Sequence, residues 1–214
     1  MTLLARLHLA RFLPALALAA LSASPALAHH PMGGVTPSTV SEGLLSGLGH
    51  PILGLDHLAA LIAVGLVSSR FASGTLMLPV LWIVGMGVGA FLHMRGIDLP
   101  AGELLVAASV ILIAALAIWR PALSLPAVGT LFAAAGFAHG HALAEAIIGA
   151  DRLVVGAYLV GLVAIQAAVM VGATLLARRL FSAESGSPLP LRVIAAGLAM
   201  VGVVFLASAL PGAA

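Results

Sequence analysis

Apolar runs of about twenty residues recur along this chain, each closed by a short polar or glycine–proline break. They fall at 51–70, 75–94, 101–119, 126–149, 153–178 and 189–210. A helix rises about 1.5 Å per residue, so roughly 20 apolar residues cross a hydrocarbon core of about 30 Å. The pattern predicts an all-α integral membrane protein, a bundle of six transmembrane helices. The separators are Arg70 with Ser73-Gly74, Arg95 to Pro100, Arg120-Pro121, Asp151-Arg152 and Arg178 to Pro190. None is long enough for a second domain.

Two stretches precede the first run. Residues 1–28 read as a cleaved signal peptide, with Arg6 and Arg11 as its basic region and Phe12 to Leu21 as its apolar core. Ala26-Leu27-Ala28 gives the small-residue cleavage site. Cleavage after Ala28 makes His29 the new N-terminus, followed by His30, and a free α-amine beside an imidazole can chelate a metal. From Pro31 to Glu42 the chain is rich in Gly, Pro, Ser and Thr, a loop or short amphipathic lead-in. The mature domain is then 29–214.

Composition supports the membrane reading and narrows the rest. Of the 214 residues 62% are hydrophobic and 7% charged, with mean hydropathy +1.21; soluble domains carry about 25% charged residues. All nine basic residues are arginines, placed mainly in connections, so the high pI does not indicate a nucleic-acid surface. No cysteine is present, which excludes disulfides and thiolate metal sites. A cleaved signal leaves the N-terminus outside, and the first, third and fifth connections then face the cytoplasm. These hold Arg70, Arg120, Arg178, Arg179 and Arg192, against Arg95 and Arg152 on the other side. That distribution follows the positive-inside rule. The expected location is the cytoplasmic (inner) membrane of a bacterium, with the mature N-terminus extracytoplasmic.

The exceptional stretch is His50-Pro51-Ile52-Leu53-Gly54-Leu55-Asp56-His57 at the head of the first run. An ionisable group in hydrocarbon costs several kcal/mol unless partnered, and marks a functional site by default. Imidazole nitrogen with carboxylate oxygen is a usual donor set for divalent transition metals. Pro51 suits a first helical turn and sets His50 near the N-cap, with Asp56 and His57 one to two turns inside. On the expected topology His50, His57, His93, His139 and His141 all fall towards the extracytoplasmic side, with Glu103 and Glu145. His141 and Glu145, four apart, share a helix face. His139 is about 200° round from His141, so both reach one ion only if the helix is distorted. Gly136 and Gly140 form a small-xxx-small pair, and Gly85-Met86-Gly87-Val88-Gly89 reads as a packing face. Gln166 is expected to be a bundle-facing hydrogen-bonder, His93 an interhelical contact or a ligand, and Asp98, Asp151 and Arg152 solvated loop residues.

The motif His50-Pro51-x-x-Gly54-x-Asp56-His57, followed by Leu58 and Ala63-Val64-Gly65, resembles the signature of the HupE/UreJ membrane proteins. Leu99-Pro100-x-x-Glu103, His139-Gly140-His141-Ala142 and Tyr158-x-x-Gly161 follow in the family's order along nearly the whole mature chain. The resemblance implies a nickel or cobalt permease linked to maturation of nickel enzymes, hydrogenase and urease. The chain departs from the family pattern at Leu143 and Gln166, where histidine is expected, which leaves the choice of metal open.

The reading that results is a permease, not an enzyme, carrying Ni²⁺ or Co²⁺ inward without a prosthetic group. Its partners are the divalent ion and the lipid bilayer, with no nucleic acid. His50, Asp56 and His57 form the entry site, completed by His139, His141 and Glu145; His29 and His93 are further candidate ligands. Two other classes use the same residues. An intramembrane zinc hydrolase would keep one coordination position for water, and a bis-histidine haem protein would use His57 and His141 as axial ligands.

Overall fold

The computed structural model describes residues 35–119, 123–181 and 189–210. The expected signal peptide, His29 and Arg120 lie outside the described residues. Seven α-helices follow in order: α1 (Val40–Leu53), α2 (Leu55–Ser68), α3 (Gly74–Met94), α4 (Gly102–Trp119), α5 (Leu125–Leu143), α6 (Arg152–Leu180) and α7 (Leu189–Ser208). A 3-10 turn, Ala144–Ile147, extends α5. No strand occurs among the described residues. Five helices, α3 to α7, are long and apolar enough to cross a membrane. The sixth expected span differs from expectation.

That first span is broken. It opens at Val40 instead of residue 51 and bends by 75° between α1 and α2. The early start has a local cause in the capping box at Thr39 and Glu42. The Glu42 amide donates to Thr39 Oγ1 at 3.2 Å, while the Glu42 carboxylate accepts from the Thr39 and Ser38 amides. Pro51 therefore sits inside the last turn of α1, not at a helix start. Gly54 ends α1 with extended backbone (φ −74°, ψ 100°) and opens α2 at once. Neither 14-residue piece, about 21 Å long, spans a bilayer alone. Together they run alongside α6, which has 29 residues and is about 44 Å long.

Helices pair through glycine. On α1, a methyl at Gly43 would strike the Val154 carbonyl, and one at Gly47 the Tyr158 carbonyl; Gly161 of α6 meets the backbone at Leu44 in return. The α3–α5 pair is reciprocal. Gly85 and Gly89 lie against the Ala133 and Phe137 carbonyls, and Gly136 and Gly140 against those of Trp82 and Met86. Both expected small-residue faces are thus real contacts, although Gly87 between them meets open space. Without a hydrophobic drive between helices in lipid, such close backbone approach is what holds a pair together.

A third pair, α4 with α7, completes the shell, and α2 fills the centre against α3, α4, α6 and α7. Its central place explains a sequence apolar on every face: Ala60, Ala63, Val64 and Val67 are wholly buried. At one end of the bundle, arginines satisfy helix C-terminal carbonyls. Arg70 donates to Leu116 O at 3.2 Å, and Arg178 to Ser69 O at 3.3 Å and to Phe71 O. The described histidines lie towards the other end.

Candidate metal centre

The α1–α2 break delivers His50, Asp56 and His57 into the protein interior. Their exposures are 1%, 2% and 2%. The imidazoles of His50 and His57 stand edge to face, ring centres 5.9 Å apart. Asp56 lies in the first turn of α2, where the helix dipole favours an anion, and its Oδ1 accepts the His57 amide at 2.8 Å. Gly54 is required by this approach. A β-carbon there would come within 2.8 Å of His57 Cδ2 and 3.3 Å of Asp56 Oδ1.

Neighbouring helices grip the imidazoles from behind. Tyr158 of α6 places its hydroxyl 2.8 Å from His50 Nδ1 and donates to Leu143 O, at the end of α5, at 2.7 Å. The Gly47–Tyr158 approach one turn earlier sets that distance. His57 Nδ1 lies 2.8 Å from Nδ1 of His139, which is 1% exposed. His139 Nε2 lies 2.9 Å from Ser109 Oγ of α4, and Ser109 Oγ donates to Val106 O at 2.7 Å. Trp82 packs on the His139 ring at 4.8 Å and donates to Gln166 Oε1 at 2.7 Å. Gln166 is thus the bundle-facing hydrogen-bond partner expected of it.

The other candidates separate from this group. His141 turns away from His139, as the 200° offset requires, and meets His93 with Nδ1 atoms 3.0 Å apart. His141 Nε2 lies 2.9 Å from Ile97 O in the α3–α4 connection. The expected shared face of His141 and Glu145 is lost, because α5 ends at Leu143 and the chain tightens into the 3-10 turn. Glu145 is exposed. The structure therefore holds two groups, an inner one of His50, Asp56, His57 and His139 and an outer one of His93 and His141. The axial pair of a haem, His57 with His141, is divided between them. Among the described residues no three His, Asp or Glu side chains are arranged closely enough to enclose a metal ion as they stand.

One residue joins the inner group that was not among the expected ligands. Glu103, in the first turn of α4, lines a small cavity of ≈ 20 Å³ with Asp56, His57, Val106, Ala142, Phe205, Ser208 and Ala209. Two carboxylates face this space from different helices. The sequence signal for Glu103 was its place after Leu99-Pro100, at the head of an apolar run. Asp151 is exposed, as expected of a solvated loop residue, and also caps α6 by accepting from the Leu153 amide at 2.9 Å.

Comparison with known proteins bears on the same residues. No solved structure matches this chain. The chain is 30% identical over 120 residues to Protein HupE of Rhizobium leguminosarum bv. viciae; the match covers 56% of this chain and 60% of that protein. The family model described as HupE / UreJ protein matches residues 16–205, which include both histidine groups and Glu103. The chain belongs to the HupE/UreJ family.

Proposed function

We propose that this protein is a permease that carries a divalent transition-metal ion, Ni²⁺ or Co²⁺, inward across the cytoplasmic membrane. The observation that carries the reading is the set of three imidazoles and a carboxylate, all at most 2% exposed, gathered at a helix break. A buried carboxylate is costly without a compensating charge, and an intramembrane cation supplies one. Discontinuous helices are the usual carriers of ion sites in transporters, since their termini present dipole ends and backbone groups in mid-membrane. Membership of the HupE/UreJ family supports nickel or cobalt as cargo.

In this reading Glu103 and Asp56 attract the hydrated ion towards the small cavity between α2, α4, α5 and α7. Nitrogen from His57 and His50 then replaces part of the hydration shell. Binding stays weak enough for release because the ligands come from separate helices that must shift to close on the ion, as conduction requires. His93 and His141 sit further out and meet the ion first. The mature N-terminus faces the extracytoplasmic side, and the arginine-rich end faces the cytoplasm. The link to nickel-enzyme maturation is delivery of the ion.

The test is radiolabelled nickel uptake by cells with and without the protein, with cobalt and zinc as competitors. Expression should raise uptake, and cobalt should compete better than zinc. Equal uptake with and without the protein contradicts the proposal.

A further inference from the structure

Hydrogen-bond direction fixes which nitrogen of each buried imidazole bears its proton. A hydroxyl has one proton to give. Tyr158 gives its proton to Leu143 O. Its oxygen can then only accept from His50, so His50 carries hydrogen on Nδ1. The same reasoning applies two bonds deep on the other side. Ser109 gives its proton to Val106 O, so its oxygen accepts from His139 Nε2–H. His139 Nδ1 is then the lone-pair nitrogen, and it accepts from His57 Nδ1–H. In the neutral state both chains end alike, with the basic lone pair of His50 and of His57 on Nε2.

We infer that Tyr158 and Ser109 are positioning residues of the transport site, holding His50 and His57 in the Nδ1–H tautomer so that Nε2 of each is the metal-binding nitrogen. The inference rests on the transport reading above. Metal-ligating histidines characteristically donate their other ring N–H to a fixed acceptor, which sets tautomer and ring orientation. Here the acceptors are a hydroxyl and a second imidazole, each anchored to a helix carbonyl. His139 is then a link in the chain, not itself a ligand, because both its nitrogens are engaged. Ser109 touches no proposed ligand, yet its loss frees His139 to carry hydrogen on Nδ1. That reversal would push the His57 proton onto Nε2 and close the metal-facing nitrogen.

Histidine ¹⁵N NMR of the full chain in bilayers without metal reads the tautomers directly. Signals are assigned by difference against His50→Gln, His57→Gln and His139→Gln. Wild-type protein should show hydrogen on Nδ1 of His50 and His57 and on Nε2 of His139. Ser109→Ala should move the His57 and His139 signals while leaving His50, and Ser109→Thr, which keeps the hydroxyl, should restore them. Tyr158→Phe should move His50 alone. Nickel affinity of the purified protein should fall about 10- to 100-fold in Ser109→Ala and Tyr158→Phe, and recover in Ser109→Thr. Unchanged His57 and His139 tautomers in Ser109→Ala overturn the inference. So does a tautomer shift with nickel affinity unchanged. Wild-type protein with the assigned tautomers but no nickel binding contradicts the transport reading and leaves the hydrogen-bond chain standing.

Discussion

Nδ1 of His57 lies 2.8 Å from Nδ1 of His139, the two rings meeting edge to face at 4.9 Å and joining α2 to α5. This contact ties the broken first span to the helix that the α3–α5 glycine faces hold in place. In the proposed permease this contact would link metal binding to helix packing. His139 stands at the third position after Gly136, whose approach to Trp82 fixes the height of the imidazole.

Packing faces can be tested apart from transport. Gly89→Ala and Gly140→Ala each push a methyl into a backbone carbonyl of the partner helix, and overpacking of this kind costs about 1–3 kcal/mol. Both variants should unfold at a lower temperature in detergent. Gly87→Ala meets open space and should unfold with the wild type. A Gly140→Ala protein as stable as Gly87→Ala contradicts the close α3–α5 approach.

The break itself gives a second prediction. At Gly54 a methyl group would collide with the His57 ring and crowd Asp56. Gly54→Ala should weaken nickel binding about tenfold or more, since displaced ligands lose affinity steeply, while the helix content by circular dichroism stays that of the wild type. Full nickel affinity in Gly54→Ala would mean that the ligands do not converge at the break.

The carboxylates rank by position. Glu103 shares a cavity with Asp56 and His57, whereas Glu145 is exposed beyond the end of α5. Glu103→Gln should therefore reduce nickel uptake more than Glu145→Gln. The reverse order would mean that the carboxylate beside Asp56 and His57 is not the one that serves the ion.

Protons compete with metal for the same nitrogens, because a ligand must be deprotonated to bind. His57 is flanked by Asp56, His50 and His139. Binding needs the neutral form, so uptake should fall as the external medium is acidified. Uptake that rises on acidification contradicts a histidine entry site.

Much of the architecture was legible in the sequence because hydropathy reports bilayer contact directly. Helices α3 to α7 stand close to the expected runs, and the glycine faces at Gly85 to Gly89 and Gly136 to Gly140 could be read from their spacing alone. The first span could not be placed that way. Its polar start hid a helix, although Thr39-Val40-Ser41-Glu42 is a capping-box pattern, and Pro51 reads as a helix start when α1 is overlooked. The spacing of His139 and His141 sets them on opposed faces although the expected site joined them, and their partners, His57 and His93, come from distant segments that periodicity does not relate. Ser109 carries no sequence signal at all. A lone serine in an apolar run is ordinary, and only the packing of α4 beside α5 gives it a role.

If the cluster at the break carries the ion, radiolabelled nickel uptake must differ between wild-type and His57→Ala protein at matched membrane levels. His57→Ala should abolish most uptake at every external pH while the protein remains in the membrane. Uptake by His57→Ala at the wild-type rate, with the wild-type pH profile, contradicts it.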